Sequence, residues 1–129
     1  MARRASSTPT EAELEILQVL WEQGPGSVRQ VNQTLNLTRT TGYTTTLKLM
    51  QIMLAKGLLR RDERQRPQVY APAASKDRTQ RQLVRDLLER VFEGSASQFV
   101  LQVLSTKKAS PAELAEIRRL LQGWGKEKK

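Results

Sequence analysis

The residues best suited to chemistry cluster between positions 40 and 51. Thr40, Thr41, Thr44, Thr45 and Thr46 place five threonines in seven positions, followed by Lys48 and Gln51. Threonine is a mediocre helix former, so such density at a helix start calls for another reason. A threonine hydroxyl can hydrogen-bond a base edge or a phosphate oxygen, and its methyl can lie against a thymine methyl. A lysine can reach guanine or a phosphate. On a helical wheel Thr41, Thr44, Thr45, Lys48, Gln51 and Ile52 occupy one face. Tyr43, Thr46, Leu47, Met50, Met53 and Leu54 occupy the other. A narrow apolar stripe backed by short polar groups and a cation is what a DNA recognition helix needs. The plainer reading makes the same threonines surface and capping residues.

A second group follows at Arg60, Arg61, Arg64 and Arg66, four arginines within seven residues. Asp62 and Glu63 lie among them and could make surface pairs of little worth. On a hairpin that follows a helix-turn-helix, however, such a tip can track the sugar-phosphate backbone or enter the minor groove. Arg3 and Arg4 could act likewise from a basic arm.

Catalysis finds no support. The chain has no histidine and no cysteine, which removes the usual general base, the commonest metal ligand, any thiolate site and any disulfide. No spacing suggests a Ser–Lys or threonine nucleophile, and no Gly-rich loop carries the phosphate-binding lysine. Glu11, Glu13 and Glu15 crowd the first turn of a helix, where the macrodipole stabilises them. Neither a catalytic residue, nor a metal, nor a cofactor is expected.

The whole composition agrees with a polyanionic partner. Lys and Arg number 22 against 13 Asp and Glu, a net charge of +9 over 129 residues. No apolar run approaches the ~18 residues of a membrane span, and the first residues lack an apolar signal core. A cytoplasmic protein that does not bind membranes is expected.

The elements that must position these groups are legible by periodicity. Residues 1–9 read as a flexible basic arm. A winged-helix domain is predicted over 10–73. Thr10 and Glu13 form a capping box, and Leu14, Leu17, Leu20 and Trp21 follow at helical spacing. Gly24-Pro25-Gly26 ends that helix. Ser27 with Gln30 opens a second, buried through Val28, Val31 and Leu35. The third runs from Gly42 to Lys56, with Gly57 past its end. Leu58–Asp62 and Gln68–Ala71 then make a hairpin wing. Residues 74–125 read as a helical dimerisation domain, and 126–129 as a frayed tail. In this second part Leu83, Leu87, Val91, Phe99, Val103, Leu114, Ile117 and Leu121 carry more apolar surface than short helices can hide alone. Lys76–Phe92 is basic and amphipathic, as membrane-surface helices are, but Asp86, Glu89 and Glu93 favour a dimer core. The fold class is therefore mainly α: a winged helix-turn-helix with a small β-hairpin, then an all-helical segment.

Tyr43-Thr44-Thr45-Thr46-Leu47, the exit Lys56-Gly57-Leu58-Leu59, Val69-Tyr70 and the opening Thr10–Trp21, in this order, resemble the penicillinase repressor family. The resemblance covers residues 8–122. It implies a transcriptional repressor that binds inverted repeats of the TACA/TGTA type in double-stranded DNA as a homodimer. By position it puts Thr44, Thr45 and Lys48 on the base-reading face and makes the Arg60–Arg66 hairpin the wing. In antibiotic-resistance members, a membrane sensor-protease pathway ends in cleavage of an Asn-Phe bond in the C-terminal segment. Here Gln102-Val103 stands at the matching place, a departure from that pattern. The cysteine cluster of copper-responsive members is absent, and Leu54 replaces a residue commonly charged in relatives. The alternative to a repressor is a non-enzymatic winged-helix module that binds protein partners.

Overall fold

The computed structural model describes residues 8–106 and 108–127. Arg3 and Arg4 lie outside the described residues, as do the last two lysines of the expected frayed tail. The elements are α1 (Glu11–Gln23), α2 (Val28–Leu35), α3 (Tyr43–Lys56), β1 (Leu59–Asp62), β2 (Val69–Pro72), α4 (Lys76–Val91), α5 (Ala96–Thr106) and α6 (Pro111–Glu127). Three helices followed by an antiparallel hairpin make a winged helix, and the remainder is helical. α6 continues to Glu127, into the stretch expected to fray.

Local chemistry sets the ends of these helices. Both predicted capping boxes are formed, Thr10 with Glu13 and Ser27 with Gln30, so orphan N–H groups at each start are satisfied. Gly57 ends α3 with φ +85. That left-handed conformation is nearly free of strain only for glycine, and it turns the chain straight into β1.

The chain divides into two compact units, one reaching to Val84 and the other starting at Arg85. The division falls inside α4, whereas the change in composition suggested 73/74. Arg78, Thr79, Gln82 and Leu83 line a groove of about 290 Å³ together with Pro9, Gly57, Leu58, Ala73 and Ala74. The first turns of α4 therefore belong with the winged helix.

The core of the first unit is built from Ile16, Leu17 and Leu20 of α1, Val28, Val31 and Leu35 of α2, Met50 and Met53 of α3, Leu59 of β1 and Tyr70 of β2. Each such side chain contributes on the order of 2 kcal/mol by leaving water. Leu54 packs half-buried against this cluster, which accounts for an apolar residue at that position. The Trp21 indole N–H donates to the Ala74 carbonyl at 3.1 Å, tying α1 to the segment after the wing.

The hairpin pairs Leu59 with Pro72, Arg60 with Ala71, Arg61 with Tyr70 and Asp62 with Val69. A third segment joins it. The Gly26 N–H donates to the Tyr70 carbonyl at 3.0 Å, and the Tyr70 N–H donates to the Gly26 carbonyl at 2.8 Å. Gly26, read from sequence only as part of a helix stop, is thus a one-residue strand against the wing.

In the second unit Phe92 and Phe99 meet edge-to-face with ring centroids 5.3 Å apart, a favoured aromatic arrangement. Leu87, Val91, Phe92, Phe99, Gln102, Val103 and Thr106 line a shallow apolar groove of about 380 Å³. Val91, Val103, Leu114 and Leu121 are exposed, as are Leu104, Leu120 and Trp124.

Candidate nucleic-acid interface

α3 is anchored from one side and open on the other. Thr46, Met50 and Met53 are buried, and residues three to four apart share a helix face. The opposite side presents Thr44, Thr45, Lys48, Gln51 and Ile52, all exposed. Four of the predicted contact residues therefore share one solvent-facing strip. Gly42 begins the helix without a side-chain cap, leaving the first backbone N–H groups turned outward as donors.

Thr41 stands apart from that strip. It precedes the helix, is 8% exposed, and is held on three sides. Its carbonyl accepts from Asn32 Nδ2 at 2.9 Å and from Asn36 Nδ2 at 2.8 Å. Its N–H donates to Asn36 Oδ1 at 3.0 Å, and its hydroxyl accepts from Arg39 Nη1 at 3.1 Å. The helical wheel was carried past the helix start at Gly42 into the connector and so set Thr41 on the outer face, where helical geometry no longer applies. Asn32 also donates to the wholly buried Thr46 hydroxyl at 2.9 Å. A single amide thus satisfies two groups on the α2–α3 connection, and Arg39 pairs with Glu15 of α1. This polar clasp fixes the angle at which α3 leaves the domain, because a buried polar group that loses its partner is costly.

Tyr43 differs from expectation in the other direction. Its ring is 47% exposed, because a side chain in the first turn has no preceding turn to pack on. The Arg29 guanidinium lies over it, 5.9 Å from the ring centroid. Neither residue was singled out for this surface by sequence. The signal for Arg29 was a cation in a helix's first turn, where the macrodipole favours carboxylates.

The wing sorts its four arginines. Arg60 is exposed on the outer face opposite Ala71 and makes no ion pair among the described residues. Arg61 shares the inner face with Leu59 and Tyr70 and pairs with Glu63 at 2.6 Å. Glu63 first, and Tyr70 after it, hold the Arg61 guanidinium above its ordinary pKa. Arg64 closes the turn on Asp62 through its Nε at 3.1 Å and its backbone N–H at 3.0 Å. Gln65 Nε2 adds a bond to the same carboxylate at 3.1 Å. Arg64 foremost, then Gln65, lower the Asp62 pKa to about 2. Arg66 Nη1 donates to the Glu63 and Gln65 carbonyls. The tip is cationic but partly self-neutralised, and exposed pairs of this kind are weak enough to be exchanged for phosphates.

Of the residues expected at a subunit interface, Leu83 lies with the first unit, half-buried in the groove beside Leu58. Leu87, Val91, Phe99 and Val103 share the apolar groove of the second unit, while Leu114, Ile117 and Leu121 lie along α6. Gln102-Val103 lies inside α5 with both side chains exposed. Among the described residues no helix is long and apolar enough to cross a membrane.

Comparison with known proteins agrees with this architecture. A family model described as penicillinase repressor matches residues 9–123. The penicillinase repressor of Bacillus licheniformis is 25% identical over 113 residues, covering 88% of this chain and 88% of that protein. Since the match runs through the winged helix and the helical tail alike, the chain belongs to the penicillinase repressor family, a family of transcriptional repressors.

Proposed function

We propose that this protein represses transcription as a homodimer that grips an inverted-repeat operator of the TACA/TGTA type. Two copies of α3 enter successive major grooves about 34 Å apart on one side of the duplex. Thr44, Thr45, Lys48 and Gln51 read base edges, and the wing arginines, Arg60 first, hold the flanking phosphates. The carrying observation is the strip of exposed hydroxyl, amide and ammonium groups on a helix whose other face is locked into the core. The apolar side chains open on α4, α5 and α6 supply the surface that a second protomer covers.

Dimerisation matters energetically because linking two modest grips raises the affinity by effective concentration. Release follows from whatever parts the two tails. A cut at Gln102-Val103 would do so by splitting α5, and a membrane sensor-protease pathway is the route by which relatives deliver one.

The test is an anisotropy titration of a duplex of about 30 base pairs carrying the inverted repeat against a scrambled duplex, with sedimentation equilibrium of the free protein. A dimer that prefers the repeat supports the reading. A monomer, or equal affinity for both duplexes, overturns it.

A further inference from the structure

Arg29 and Tyr43 form a pair that the fold itself does not explain. Arg29 lies in the first turn of α2, which contains no acidic residue. A cation there opposes the macrodipole rather than complementing it. It is exposed and makes no ion pair among the described residues. Tyr43, immediately before Thr44 and Thr45, leaves 47% of its surface in water. The one contact uniting them is the guanidinium over the ring at 5.9 Å, within the range of a cation–π interaction.

At 5.9 Å the ring attracts the guanidinium from one side and leaves N–H donors for another partner. The N–H donors of arginine lie in the guanidinium plane, in a fork that matches two oxygens of one phosphate. A ring beneath it also restrains a side chain that would otherwise lose rotamer entropy on binding. In a helix-turn-helix the first helix of the motif crosses the sugar-phosphate backbone while the second enters the groove. α2 is that first helix, and Arg29 is its exposed cation next to the start of α3.

We propose that Arg29, pre-oriented on Tyr43, binds a backbone phosphodiester of the duplex beside the groove that α3 enters. Arg29 is the phosphate ligand and Tyr43 is a positioning residue. The inference rests on the DNA-binding reading above and adds to it a contact that is blind to sequence.

The experiment compares wild type, Arg29→Gln, Tyr43→Leu and the double variant on the repeat duplex and the scrambled duplex over a salt series. A phosphate contact contributes a slope of about 0.9 to the dependence of log affinity on log salt. Arg29→Gln is expected to weaken binding to both duplexes by the same factor, roughly tenfold near 0.1 M salt, and to flatten the slope by about one for each protomer engaged. Tyr43→Leu should reproduce part of that loss, and the double variant should lose no more than Arg29→Gln alone. Thermal melting of Arg29→Gln should stay at the wild-type midpoint, which separates binding from folding. Normal wild-type binding with an unchanged slope in Arg29→Gln, or a loss confined to the repeat duplex, overturns this inference alone. Absence of duplex binding by the wild type overturns the DNA-binding reading and this contact with it.

Discussion

Lys56 Nζ donates to Glu13 Oε1 at 2.8 Å, joining the last turn of α3 to the first turn of α1. Glu13 is 3% exposed, and the same oxygen accepts the Thr10 backbone N–H at 2.9 Å. The carboxylate is therefore a junction: one oxygen completes a helix cap and holds the far end of α3. Replacing Lys56 by Ala should cost about 2 kcal/mol, because it leaves a nearly buried carboxylate without its counter-ion. Urea unfolding with an unchanged m-value would measure the loss; a midpoint equal to wild type would refute the junction.

The same carboxylate makes a prediction in pH. Burial raises the Glu13 pKa, but the Lys56 hydrogen bond and the Thr10 cap outweigh it, so the net shift is below the ordinary 4.5. A depressed folded value means that the stabilisation is complete above 4.5 and is lost as pH falls through the lower folded value. Stability of the winged helix should hold down to about pH 5 and decline below it, with Glu13→Gln removing that part of the decline. An acid-unfolding curve identical in the two proteins would contradict this.

Asn32 is the second structural hinge of the site. Its amide donates at 2.9 Å to both the Thr41 carbonyl and the Thr46 hydroxyl. Asn32→Ala strands the wholly buried Thr46 hydroxyl, while the Thr41 carbonyl keeps its bond from Asn36 Nδ2, and should cost about 1–3 kcal/mol. It should also lower operator affinity more than an equally destabilising core substitution such as Val31→Ala, since it loosens the aim of α3. Matched affinities in the two variants would show that the clasp supports stability alone.

Lys48→Ala removes the cation from the centre of the exposed strip on α3 without touching the core. Affinity for the repeat duplex should fall by about tenfold, corresponding to the loss of one base or phosphate contact. The thermal midpoint should not move. An unaltered titration would exclude Lys48 from the interface.

Leu87→Asp puts a charge into the apolar groove shared with Val91, Phe99 and Val103. Sedimentation should show a shift from dimer to monomer, while the first unit keeps its helical signal. A dimer that persists at micromolar concentration would place the subunit contact elsewhere.

Much of this architecture was legible because periodicity and capping chemistry are local. The Thr10–Glu13 and Ser27–Gln30 boxes, the Gly57 exit and the hairpin each follow from residues a few positions apart. What escaped was long-range. Nothing near Gly26 says that Tyr70, far along the chain, will pair with it. The outward turn of Tyr43 and the burial of Thr41 are set at the start of α3, where Thr41 is held by Asn32 and Asn36 rather than by helical periodicity. The sorting of the wing arginines was hidden for a related reason: strand alternation sends Arg60 out and Arg61 in, while charge counting treats them alike. Leu83 was grouped with the other interface leucines by helical spacing, but it belongs to the first unit and lines a groove together with Leu58 and Ala73.

The double hydrogen bond between Gly26 and Tyr70 has a mechanical consequence. The root of the hairpin is riveted to the turn between the first two helices, whereas residues 63–67 at its tip are exposed. On the proposed reading, shortening or lengthening the tip would alter how far the protein reaches along a duplex without disturbing the helices that would choose the sequence. Reach and choice would then be separable properties of this domain, open to independent change by insertion at one end and substitution at the other.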